Sequence, residues 1–198
     1  MGLLSDGGGM SNFLNYKHGP RCFYLGKENI VEFDKLVVDV DSVKTGWGIY
    51  TAETNYMYQW DERPGVRGPK PDNIDEQYWT GAFSMDCYIK DTEESVLWRH
   101  HSVGNARAFD LLTDTYLDRL DEKKPGQVGA FISLKQDNGH LKVAYKDDKQ
   151  NTSWPLFEFH SWIDRPEQFV SKSDMPGADP VKKDPKPKPE ISDKDIPF

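Results

Sequence analysis

Between residues 56 and 70 the chain sets flat rings beside long cations. Tyr56, Tyr58 and Trp60 recur at every second residue, and Arg63, Arg67 and Lys70 follow close behind. Alternate residues of a β-strand share a face, so on a strand the three rings would line one side. Exposed rings in a row offer π surface to unpaired bases, at about 1–3 kcal/mol per stacked base. Long cations beside them would neutralise a phosphate backbone without reading its sequence, so base specificity should be low. Trp47, bracketed as Thr45-Gly46-Trp47-Gly48, and Trp79 extend the ring set; Arg99 adds a cation, with Lys44, Lys90 and Arg107 as further ones. The competing use of any single ring is core packing.

Other chemistries find less support. Asp39 and Asp41 lie two apart on an expected strand, so both carboxylates should face the same side. Such a pair can begin a divalent-metal site that activates water for a nuclease, with Asp86, Glu93, Glu94, Asp110 and Asp114 to draw on. Strand-borne acids more commonly face solvent, and this is the lesser reading. His100 and His101 are adjacent, hence on opposite faces of a strand, and do not form a simple chelating pair. The sequence carries no glycine-rich phosphate loop, nucleophile elbow or Cys–His zinc spacing. Cys22 and Cys87 are far apart, which argues against a disulfide framework and suits a reducing cytoplasm. The expectation is a binding protein without metal or cofactor, not an enzyme. No apolar run reaches the length of a membrane span, so no membrane partner is expected.

The elements that must position these groups are mostly strands. Residues 35–43, 82–90, 95–99, 127–135, 141–145 and 156–163 alternate with period two. In the first, Leu36, Val38 and Val40 oppose Val37, Asp39 and Asp41. In the second, Phe83, Met85, Cys87 and Ile89 oppose Ser84, Asp86, Tyr88 and Lys90. Asn138-Gly139 signals a hairpin turn. In the last, Phe157 and Phe159 should face away from His160 and Trp162. One helix is expected from about Asn105 to Asp121, with Phe109, Leu112, Tyr116 and Leu120 as its apolar stripe. About three strands, one helix, then more strands is the order of an OB-fold, a small β-barrel plugged by a helix between its third and fourth strands. The fold class is therefore mainly β: an OB-fold-like β-barrel with one helix. Residues 61–77, rich in Pro and Gly, should be a long loop able to fold over a bound strand.

Three regions follow: a flexible leader over 1–12, with Met10 as an alternative start, a binding domain over 13–170, and a tail over 171–198. The tail holds six of the 13 prolines and a single aromatic, Phe198, too little apolar surface to offset ordering entropy. Its six lysines match six acids, so the whole net charge of −8 sits on the rest of the chain. That balance predicts modest, salt-dependent affinity for nucleic acid. Asp193, Asp195, Ile196, Pro197 and Phe198 form a compact bait: a ring for an apolar pocket and negative charge for a basic rim.

Ser192 to Phe198 closely resembles the C-terminus of bacterial single-stranded DNA-binding proteins, which ends in a short acidic stretch followed by Ile-Pro-Phe. Here Lys194 interrupts the acids. The resemblance implies an OB-fold body that holds single-stranded DNA and a tip that recruits host or cognate replication, recombination and repair proteins. The family's usual opening sequence is absent, so the body reads as a divergent version of the kind phages encode. Relatives of the tail assemble as tetramers and divergent binders as monomers or dimers, so a homo-oligomer is among the assemblies the resemblance allows. Two other classes remain in view: a metal-dependent nuclease that borrows the tail, and a decoy that competes for tip-binding pockets without touching DNA.

Overall fold

The structure, a computed structural model, describes residues 13–51, 55–63, 66–74, 77–147 and 151–169. The expected leader and the expected tail with its tip, Asp193 to Phe198, lie outside the described residues.

Eleven strands and one long helix are assigned among these residues. Strands β1 (Phe13–Lys17), β2 (Cys22–Leu25) and β3 (Asn29–Val31) form a meander. The long strand β4 (Lys35–Thr51) turns back into β5 (Asn55–Trp60). Strands β6 (Thr80–Ile89) and β7 (Glu94–His100) form the next hairpin, and helix α1 (Val103–Asp118) follows. Strand β8 (Gln127–Ser133), the small hairpin of β9 (Val143–Tyr145) and β10 (Ser153–Pro155), and β11 (Phe157–Asp164) complete the order.

The main sheet runs β11-β8-β4-β6-β7-β1-β2-β3, with β5 added to β4. Within it, β4, β6, β7, α1, β8 and β11 follow the OB-fold order. The first barrel strand pairs with the second and the fourth, and the helix lies between the third and fourth. The N-terminal meander joins where β1 lies parallel to β7. The sheet is strongly curled: the rings of Phe23, near one end of the strand path, and Phe157, at the other, come within 6.1 Å of each other. The fold is thus mainly β, an OB-like half-barrel with one helix, as the strand and helix order predicts.

The core fills the concave side. Leu36 and Val38 from β4, Phe83, Met85, Cys87 and Ile89 from β6, and Trp98 from β7 meet Phe109, Leu112 and Tyr116 of α1. One buried amide fastens this junction. Asn105 Oδ1 accepts from the Tyr16 backbone N–H (3.1 Å) and from Trp98 Nε1 (2.9 Å), while its Nδ2 donates to the Tyr16 carbonyl and to Ser102 Oγ. Both lone pairs and both N–H donors of the Asn105 amide are thus engaged, which suits a group that is 1% exposed.

Three details depart from the sequence expectation. The helix starts two residues earlier, at Val103, and gives way to a 3-10 turn at Leu120, whose side chain is 45% exposed. A bulge between Phe159 and Ser161 resets the alternation of β11, so Trp162 joins Phe159 on the core side, their rings 5.1 Å apart. Tyr88 keeps the expected face opposite Met85 and Cys87, and there Phe169 packs on it with Val37, Val128 and Ala130. The meander β1–β3 was not foreseen. Among the described residues no helix is long and apolar enough to cross a membrane.

Candidate nucleic-acid interface

Strand β5 holds Tyr56, Tyr58 and Trp60 on one face, as their spacing requires. Its register sets Tyr50 opposite Tyr56, Gly48 opposite Tyr58 and Gly46 opposite Trp60, and opposed residues of an antiparallel pair share a face. Continuing across the sheet, Gly46 faces Ala82 and Ser84 faces Arg99. The rings of β5 and the arginine of β7 therefore share the outer side, separated by a floor of small residues. That floor is a steric requirement. A Cβ on Gly48 would lie 2.7 Å from Cβ of His101, and one on Gly46 would collide with the Gln59 carbonyl of β5.

Across the floor the long side chains meet. Tyr58 and Trp60 stack with centroids 5.1 Å apart and planes inclined by 4°. The Arg99 guanidinium lies 4.9 Å from the Tyr58 centroid and 4.6 Å from that of Phe13. His101 meets Tyr58 at 6.0 Å and Tyr56 at 5.5 Å, and Tyr56 meets Tyr50 at 4.9 Å. Tyr50 and Tyr56 are about half exposed. Burial raises the Tyr58 hydroxyl to about 12, against the pull of Arg99, so this ring stays neutral. Burial also lowers both histidines, His100 to about 4 with help from its neighbour His101. The imidazoles are uncharged at neutral pH and extend the flat surface. Among the described residues no carboxylate pairs with Arg99.

Lys44, opposite Ser84, shares the outer side as an exposed cation, whereas Trp47, Trp79, Arg63, Arg67 and Lys70 do not join the ring face. Trp47 lies opposite Gln59 and Gly81, and so points to the other side of the sheet. There Arg67 lies 5.0 Å and Lys70 6.0 Å from its ring. The Trp47 indole donates to the Gly68 carbonyl at 3.0 Å. Arg67 is paired with Asp61 at 3.6 Å, a carboxylate whose side chain is 2% exposed. Burial works to raise Asp61, but the hydrogen bonds from Thr45 and Gly68 and the Arg67 charge together hold it below the ordinary carboxylate value. Trp79 is 6% exposed and donates to the Asp72 carbonyl at 2.8 Å. Burial makes it scaffold, not a stacking platform. Arg63 sits at an exposed bridge to Val66 and touches neither ring group among the described residues. The loop expected to fold over a bound strand is instead fastened along its described parts by two indoles and one ion pair.

The expected face shared by Asp39 and Asp41 is also divided. Asp39 is buried against Arg165 at 2.7 Å, while Asp41 is exposed and 3.3 Å from Lys123. The bulge between Asp39 and Lys44 breaks the alternation there. Among the described residues no three His, Cys, Asp or Glu side chains gather as metal ligands would.

Phe13, Tyr50 and His101 belong to the ring face, to which sequence spacing does not assign them; His101, expected on the opposite face from His100, lies past the end of β7 and stacks on the His100 ring at 5.5 Å. Tyr50 carried a usable signal, since it continues the two-residue spacing of Gly46 and Gly48. The chain matches no protein-family model, no curated protein and no solved structure.

Proposed function

We propose that this chain is a non-enzymatic single-stranded DNA-binding protein. It coats unpaired DNA and recruits replication, recombination and repair proteins through Asp193, Asp195, Ile196, Pro197 and Phe198. The observation that carries the reading is the outer face formed by Tyr56, Tyr58, Trp60 and Arg99, an arginine with no carboxylate partner among the described residues. It runs from β5 across β4 and β6 to β7, and so takes in the second and third barrel strands, where OB-folds bind oligonucleotides. Rings supply sequence-tolerant stacking and Arg99 meets the phosphate backbone. Such a protein would act in the cytoplasm of a bacterium, or of a bacterial host if a phage encodes it. The net charge of −8 favours one rival, a decoy that occupies tip-binding pockets and leaves DNA alone.

A gel shift with oligo-dT at low salt separates the two. The binder retards the oligomer, with log affinity falling linearly against log salt; an unshifted oligomer leaves only the decoy. Removing Asp195 to Phe198 should leave oligomer affinity equal or better and abolish partner capture. Capture of the same partners by the truncated chain would sink the recruiting role.

A further inference from the structure

Beside Tyr56 the ring face runs into an open cleft of about 500 Å³, lined by residues of β1, the end of β7 and the start of α1. Its polar groups are unusually placed. Asn15 Oδ1 is buried and has no hydrogen-bond partner among the described residues. A buried acceptor without a donor costs about 1–3 kcal/mol, so the site lacks an N–H. With no bond holding that oxygen, the amide can turn towards the cleft it lines. His100 supplies the complement. Its Nδ1 accepts the Ser102 backbone N–H at 2.8 Å, which leaves the proton of the neutral ring on Nε2 as a donor. Tyr56 and His100 bring two rings to the same space, their centroids 6.3 Å apart.

We propose that this cleft takes one unpaired nucleobase with an exocyclic amine next to a ring nitrogen acceptor, namely cytosine or adenine. The amine donates to Asn15 Oδ1, the ring nitrogen accepts from His100 Nε2, and the base lies against Tyr56. Thymine presents the opposite pattern on that edge: a carbonyl would oppose the Asn15 carbonyl oxygen, and N3–H would oppose the His100 donor. The pocket rests on the DNA-binding reading and adds a base preference at one position of an otherwise tolerant path.

The test compares oligo-dC, oligo-dA and oligo-dT of equal length at neutral pH, using the full chain and Asn15→Leu. Tryptophan fluorescence reads binding. Because Asn15 Oδ1 has no partner among the described residues, its loss breaks no bond described for that atom, and a thermal melt checks the fold. The wild type should bind dC or dA about three- to tenfold more tightly than dT, a margin that the two added hydrogen bonds allow. Asn15→Leu, which keeps the His100 donor, should cut that ratio at least about twofold and leave dT affinity unchanged. Equal affinity for all three in the wild type, or a ratio that the substitution leaves unchanged, overturns the pocket while leaving the ring face standing. Failure of every oligomer to bind removes both.

Discussion

The outer side of the sheet is finished in two opposite ways. Towards the β8 edge, Val37, Tyr88, Val128 and Ala130 are covered by Phe169, and the covering segment is held by Arg165 on Asp39 and by the Ser95 hydroxyl on the Gln168 carbonyl. Towards β5, the same side of the same strands carries Tyr50, Tyr56, Tyr58 and Trp60, which no described segment covers. On β6 the change falls between Tyr88 and Ala82. The chain closes an apolar surface with its own residues where only stability is served. Where it leaves rings beside an arginine, the surface is suited to an outside ligand.

The largest effects should separate these halves. Replacing both Tyr58 and Trp60 by alanine removes two stacking partners, and oligo-dT affinity should fall by about 2–4 kcal/mol. The thermal midpoint should move little. Phe169→Ala should do the reverse: about 3 kcal/mol of stability lost with its ring, as for other buried phenylalanines, and unchanged affinity measured below the melting range. Denaturant melts and fluorescence titrations on both proteins read the contrast. Affinity that tracks stability in both variants would show that the two halves are not functionally distinct.

How much of this division was legible follows from the range of each signal. Spacing of two puts Tyr56, Tyr58 and Trp60 on one face whatever the partner strand, so local sequence sufficed. Arg99 and His101 reach those rings only through the pairing of β4 with β6 and of β6 with β7, and no local pattern encodes that register. Local sequence groups Trp47 with the Tyr56 rings for the same reason: its true face is set by lying opposite Gln59, which leaves it beside Arg67 and Lys70 instead. The bulge that turns Trp162 inward left no local signature, and Phe169, a lone ring in a polar stretch, gave no period at all. The OB-like order was readable because it needs only the sequence of strands and helix. The curl and the added meander needed tertiary contacts.

A smaller effect should come from acid, and it should start in the open half. The folded pKa of His100, about 4, lies below the ordinary value of 6.5 because burial and His101 disfavour its charge. Between those values the unfolded chain binds a proton that the folded chain excludes. Stability therefore rises with pH through that window and is flat above it. Allowing for solvent screening at this half-buried site, a drop from pH 7 to pH 4 should cost about 2 kcal/mol from His100 alone. Denaturant midpoints for wild type and His100→Gln check this, the variant showing a shallower slope across the window, with the remainder left to His101. An identical slope in both would place the acid sensitivity elsewhere.

The smallest effect distinguishes the two arginines. Arg99 touches only rings among its described contacts, whereas Arg67 already has the Asp61 carboxylate and helps to fasten the loop. A phosphate contact made by Arg99 releases a counterion, so Arg99→Ala should weaken oligo-dT binding by about 1 kcal/mol and reduce the slope of log affinity against log salt by about 0.7. Arg67→Ala should leave that slope unchanged, because its guanidinium lies on the far side of the sheet and is paired. Its cost should fall on the loop, read as faster proteolysis between Asp61 and Tyr78. The reverse outcome, with the slope falling for Arg67→Ala and holding for Arg99→Ala, would move the phosphate path from the outer rings to the Trp47 side.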